Sequence, residues 1–231
     1  GSQPRQLITT TPRPTALLKR LMNDAASVVT RAPTQASAFN LAPTFLQGVM
    51  ARYAGTRLGR QELDGEIIED RPDALWSRAL LEKCRVREAP PMQRVVVAVD
   101  PPATSGKRAD ACGIVAAGLA EGGIVYVIAD ETVAGATPAL WAAKAIALWR
   151  RCEADALVAE VNQGGDMVKS VIAEVDAAVP VIPVRATRGK WLRAEPVATL
   201  YEQGRVRHAG SFAALEDEMC DFALSGLSSG R

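Results

Sequence analysis

Two carboxylates stand where apolar runs stop: Asp100 closes VVVAVD and Glu160 closes ADALVAE. Carboxylates that meet at one edge of a sheet form an oxygen cage suited to hard divalent ions such as Mg²⁺ or Mn²⁺. Two such ions, roughly 3.5 to 4 Å apart, provide a hydroxide nucleophile at neutral pH and neutralise the charge of a phosphodiester under attack. Without an ion or a proton, the same carboxylates repel one another and raise each other's pKa. A plainer reading also fits each residue, with Asp100 starting a turn ahead of Pro101 and Glu160 ending a strand in solvent. A third ligand would have to come from AALEDEMCDFA, which offers Glu216, Asp217, Glu218 and Asp221. Asp217 and Asp221 are four apart and share a helix face, the spacing expected of a supporting pair, although acid-rich helices are commonly just solvated.

The elements that must position these residues follow a hinge, EAPPMQR, at Glu88 to Arg94. Arg94 to Asp100 is a short apolar run that reads as a central strand. ACGIVAAGLA and GIVYVIAD read as two further strands joined at EGG, a turn signal that argues an antiparallel hairpin. Thr137 and Pro138 supply a cap and a first-turn proline for a helix through ALWAAKAIALWRRCEA. ADALVAE is the fourth strand. A helix over 165–177, a strand VPVIPV, a helix over 190–203, a strand GRVRHA and the helix AALEDEMCDFA complete the order. In VNQGGDMVKS, Gly164 and Gly165 precede a helix start whose amides could meet a phosphate, and a simple turn explains them equally well. Three antiparallel strands, helix, strand, helix, strand is the topology of the RNase H-like fold, an α/β class with a mixed central sheet flanked by helices. Its first and fourth strands are neighbours, which would bring Asp100 and Glu160 to one edge.

Before the hinge the pattern is mostly helical, with an amphipathic ALLKRLMND and helical spacing over 42–65. The expected domains are therefore a helical appendage over 1–90 and an RNase H-like domain over 91–231. No apolar run approaches the roughly 18 residues of a membrane helix, and the start lacks a signal-peptide layout. Four scattered cysteines and the single His208 suggest neither a zinc cluster nor a disulfide framework, and favour a reducing cytoplasm. Net charge is only +1, but residues 1–60 carry Arg5, Arg13, Lys19, Arg20, Arg31, Arg52, Arg57 and Arg60 against Asp24 alone. A second basic stretch, Arg185 to Arg207, holds six Lys/Arg against Glu195 and Glu202. Two such regions suit a polyanion, and either alone also suits a solvated face.

Several stretches together resemble the large terminase subunit of tailed bacteriophages: ITTTPRPT, NLAPTFL, YAGTRLGRQELDGEIIED, AVDPPAT, DACGIV, AEVNQGGDMV, RGKWLRAEPVATLYEQGRV and LEDEMCDF. The resemblance covers nearly all of the chain. It implies the end of an ATPase domain joined to a nuclease domain, with Asp100 and Glu160 as the first two metal-binding acids. It also implies a two-ion Mg²⁺ or Mn²⁺ site, cleavage of concatemeric double-stranded DNA, and partnership with a small terminase subunit and portal protein in the host cytoplasm. In the family a further acid lies in a Ser-Pro-Asp-Arg-x-Asp-Ala type motif, expected where this sequence ends in SGLSSGR, so Asp217 and Asp221 are retained as supporting candidates. Lys107, Arg108, Arg188, Lys190 and Arg193 are the expected DNA-backbone contacts, with ordinary surface charge as the alternative. No G-x-x-x-x-G-K-[ST] is present, and ATP hydrolysis is not expected of this chain. Two other readings stay open: a catalytically incomplete DNA-binding and assembly module, and a different RNase H-like enzyme such as a resolvase or transposase. ITTTPRPT and the GTRLGRQELDGE junction disfavour the last.

Overall fold

A computed structural model describes residues 6–10, 15–53, 57–67, 70–102, 110–161 and 165–224. Arg5, Arg13, Lys107, Arg108, Gly164 and the closing SGLSSGR lie outside them, as does part of ITTTPRPT. The chain divides into two units, Gly1–Arg71 and Pro72–Arg231.

The first unit is helical among its described residues, as its spacing predicts. It contains α1 (Ala16–Met22), a 3-10 segment (Thr34–Asn40), α2 (Pro43–Tyr53) and α3 (Arg57–Leu63). Thr15 caps α1 by accepting a hydrogen bond from the Leu18 amide at 3.2 Å, which satisfies one of the donors a helix start leaves free.

The second unit begins earlier than the hinge. Residues 72–90, read from sequence with the appendage, contribute α4 (Arg78–Cys84) and β1 (Arg85–Val86) to it. The sheet strands then follow as β2 (Met92–Asp100), β3 (Gly113–Ala120), β4 (Val125–Asp130), β5 (Ala156–Glu160), β6 (Val181–Val184) and β7 (Val206–Ala209). Helices α5 (Pro138–Arg151), α6 (Gly165–Val175), α7 (Lys190–Glu202) and α8 (Ala213–Asp221) alternate with them. The order across the seven-stranded sheet is β1-β7-β4-β3-β2-β5-β6. The β2–β3 and β3–β4 pairs are antiparallel, and the remaining neighbours are parallel.

Local chemistry explains this path. The turn between β3 and β4 holds Gly122 and Gly123 at φ of +75° and +74°, a backbone region open to glycine and strained for most side chains. Thr137 accepts from the Leu140 amide and Pro138 opens α5, the combination that fixes a helix start. The parallel β2–β5 register is anchored by Asp155: its carboxylate accepts from the Val95 amide at 2.7 Å, and its own amide donates to the Val95 carbonyl at 2.8 Å.

The two faces of the sheet are packed differently. Under α5 and α6 the core is apolar, built from Val97, Val99, Ile114, Trp141, Ile146, Leu148, Leu157, Val168 and Ile172. Each large aliphatic side chain buried there contributes about 1.5 to 3 kcal/mol. The face under α4, α7 and α8 gathers Trp76, Leu81, Val127, Tyr201, Val206 and Cys220, with Trp76 meeting the Tyr201 ring edge-on at 5.9 Å.

Candidate active site

Val99 pairs with Ala159, so the next residues, Asp100 and Glu160, end neighbouring parallel strands inside the sheet, β5 lying next to the edge strand β6. Period-2 alternation buries Val97 and Val99 on one face and leaves Asp100 to project at the strand end. Half of its side-chain surface is open (52%), while Glu160 is mostly covered at 18%. Burial on its covered side is nevertheless the largest influence on Asp100 and pushes its carboxyl up. Lys190 opposes that, Glu160 adds to it and Arg193 opposes it, leaving the direction upward. The Glu160 charge thus adds to an upward shift of Asp100 that burial begins, as a like charge nearby does. Cys112, one residue from the Asp100 partner Gly113, has its thiol pushed up to about 12 by burial and then by the Asp100 charge. It is no thiolate nucleophile at neutral pH.

Two cations face the two acids. Lys190 Nζ lies 3.7 Å from Asp100 Oδ2, and Arg193 Nη1 donates to Glu160 Oε2 at 3.0 Å. Both belong to the first turn of α7, which starts at the carboxyl end of the sheet after β6. Arg185 and Arg188, in the connection between β6 and α7, are exposed beside them. Two of the basic residues read from sequence, Lys190 and Arg193, therefore meet the acid pair, and Arg188 lies on the same connection. Two hard oxygen donors side by side suit a divalent ion in place of these cations, and Asp100 and Glu160 are the residues that would hold it.

A model of the terminase RNase H-like domain matches residues 97–230, more than half of the 231-residue chain. This chain belongs to that family. Its fold is similar to that of a large terminase from a thermophilic bacteriophage, with a TM-score of 0.50, 12% identity, and coverage of 79% of this chain and 45% of that one. The HK97 bacteriophage large terminase gives 0.50 and 14%, covering 84% of this chain and 44% of that one. The large terminase nuclease from thermophilic phage G20c, solved with bound magnesium, gives 0.47 and 16%, covering 68% and 86%. The chain thus spans less than half the length of the first two proteins. No match was found among curated protein sequences.

Asp217 forms an ion pair with Arg78 and so ties α8 to α4. Asp221 is 9% exposed. Among the described residues, no three His, Cys, Asp or Glu side chains gather as a metal-binding group. Shared helix spacing places Asp217 and Asp221 on one face without indicating what that face meets.

Sequence reasoning does not single out their neighbour Glu216, which is fully buried. Arg85 grips it with two hydrogen bonds, of 3.0 and 2.9 Å, while His208 Nδ1 lies 3.0 Å from Glu216 Oε1 and the Phe212 amide donates to the same oxygen at 3.2 Å. His208 Nε2 is 2.8 Å from the Tyr201 hydroxyl. Burial works against ionising Glu216, but the His208 and Arg85 hydrogen bonds outweigh it and hold the carboxyl down to about 2. A signal is present in the sequence: the sole histidine sits at an inward position of a short alternating strand, and a buried histidine needs partners.

Proposed function

We propose that this terminase domain is a divalent-metal-dependent endonuclease that cleaves concatemeric double-stranded DNA during packaging. The observation that carries the reading is the placement of Asp100 and Glu160 side by side at the carboxyl ends of the neighbouring parallel strands β2 and β5. When bound at that pair, Mg²⁺ or Mn²⁺ supplies a hydroxide nucleophile and stabilises charge on the phosphate. The chain's own contribution is to fix both carboxylates at the ends of paired strands. Its exposed cations Arg185, Arg188, Lys190 and Arg193 are suited to hold the DNA backbone through sequence-independent contacts. Lys107 and Arg108, outside the described residues, are proposed as further backbone contacts. Asp217 and Asp221 are kept as supporting acids of lower rank, since Asp217 is engaged by Arg78. The small terminase subunit and portal protein are the proposed partners, in the cytoplasm of the host. Among the described residues no helix is long and apolar enough to cross a membrane.

The test is plasmid nicking and linearisation with Mg²⁺ or Mn²⁺, using the wild type beside Asp100→Asn. Removing one of two ligands is expected to reduce cutting by about a hundredfold or more, because the ion supplies several kcal/mol of transition-state stabilisation. Cutting that persists in the variant would remove Asp100 from the site. A second reading, a DNA-binding and assembly module without catalysis, is favoured by the absence of a third acid beside the pair among the described residues. DNA binding without metal-dependent cutting by either protein would support it.

A further inference from the structure

Lys190 and Arg193 are three residues apart, one turn of α7, and each faces one carboxylate of the pair. Arg193 is held at two edges: Nη1 donates to Glu160 Oε2 at 3.0 Å and Nε donates to the Arg188 carbonyl at 3.1 Å. The Lys190–Asp100 pair is open to water, at 73% and 52% exposed, and exposed pairs are weak and exchange readily. The Arg193–Glu160 pair is half-covered, at 37% and 18%, with the guanidinium still reached by solvent. A divalent ion taking the same carboxylate oxygens would leave the Arg193 guanidinium without its partner. An anion drawn to the exposed basic run, where Arg193 already donates to the Arg188 carbonyl, would then be the nearest new partner for that charge.

We infer that Arg193 is a metal-linked positioning residue, neutralising Glu160 in the metal-free domain and turning to the DNA backbone when the carboxylates take a divalent ion. The inference rests on the nuclease reading above. Metal and DNA affinity are then coupled, and by reciprocity each strengthens the other. The coupling favours loading of the ion when DNA is present to receive the displaced arginine. Lys190 stands in the same relation to Asp100 at a longer distance, so Arg193 carries most of the effect.

The test uses the whole chain and two readouts other than cleavage. Calorimetric titration with Mn²⁺ alone is run on wild type, Arg193→Gln, Arg193→Lys and Arg188→Gln. Removing the internal competitor is expected to tighten Mn²⁺ binding roughly three- to fivefold in Arg193→Gln, with Arg193→Lys near wild type and Arg188→Gln little changed. The salt dependence of binding to a phosphorothioate duplex is then measured with and without Mn²⁺. For wild type the log-log slope is expected to steepen by about one when Mn²⁺ is added, and for Arg193→Gln that increment is lost. Equal Mn²⁺ affinity in wild type and Arg193→Gln overturns the inference and leaves the nuclease reading standing. Equal tightening by Arg188→Gln also overturns it, since the effect would then be general charge. A wild-type slope indifferent to Mn²⁺ does the same. Failure of wild type to bind Mn²⁺ at all would overturn both this inference and the metal-dependent reading beneath it.

Discussion

Glu216 and Glu160 each accept an arginine hydrogen bond near 3 Å, yet Glu216 has no exposed side-chain surface while Glu160 ends a strand beside the half-open Asp100. The dry group is closed: Arg85, His208 and the Phe212 amide share its acceptors, and Tyr201 completes the chain of partners. Breaking a buried pair leaves an uncompensated charge at large cost. At the strand ends the cations are solvated and replaceable at small cost. The same residue types therefore lock the α4–β1–β7–α8 side of the sheet in one place and leave an exchangeable anionic pair in the other.

Breaking the dry side should give the largest effect. Glu216→Gln removes the fully buried carboxylate that Arg85, His208 and the Phe212 amide share, leaving Arg85 to Glu82 alone, and is expected to cost about 3 kcal/mol. For a unit of this size that lowers the melting temperature by roughly 10 °C in a thermal denaturation scan. An unchanged melting temperature would dissolve the contrast between the two groups.

Acid should sharpen it next. Glu216 has a carboxyl held at about 2 against an ordinary 4.5. A depressed folded-state value means the stabilisation is fully present above 4.5 and is lost as pH falls from there towards 2. Its size at neutral pH is on the order of 3 kcal/mol. Urea midpoints followed from pH 5 downwards are expected to fall more steeply for wild type than for Glu216→Gln, and parallel curves would refute the assignment.

On the wet side the effects are smaller and appear in binding. Reversing Arg188 and Lys190 to glutamate together is expected to weaken duplex DNA binding by about tenfold at low salt and to flatten the salt slope by about two. Melting temperature should hardly move, because both side chains are exposed. An unaltered slope would return these residues to ordinary surface charge.

Much of this arrangement is legible in the sequence because its signals are local. VVVAVD, the EGG turn and the Thr137-Pro138 start each specify their element through short-range sterics and hydrogen bonding. The order of elements then brings Asp100 and Glu160 together. What stays hidden depends on tertiary partners. β1 is two residues long and has no periodicity to read; it exists because Arg85 and Val86 pair with His208 and Ala209. Helix spacing groups Asp217 with Asp221, but Arg78, 139 positions away from Asp217, decides what Asp217 does. Glu216, the first of four acids in AALEDEMCDFA, does not stand out from the others until the fold places it beside His208 and Arg85.

The most direct test of the central claim compares Asp100→Asn and Glu216→Gln in one experiment, measuring Mn²⁺-dependent plasmid cleavage and thermal melting on both. The account calls for opposite losses: Asp100→Asn keeps the wild-type melting temperature and loses cutting, while Glu216→Gln melts earlier and still cuts DNA at temperatures where it remains folded. Asp100→Asn that cuts like wild type, or that melts as early as Glu216→Gln, would contradict it.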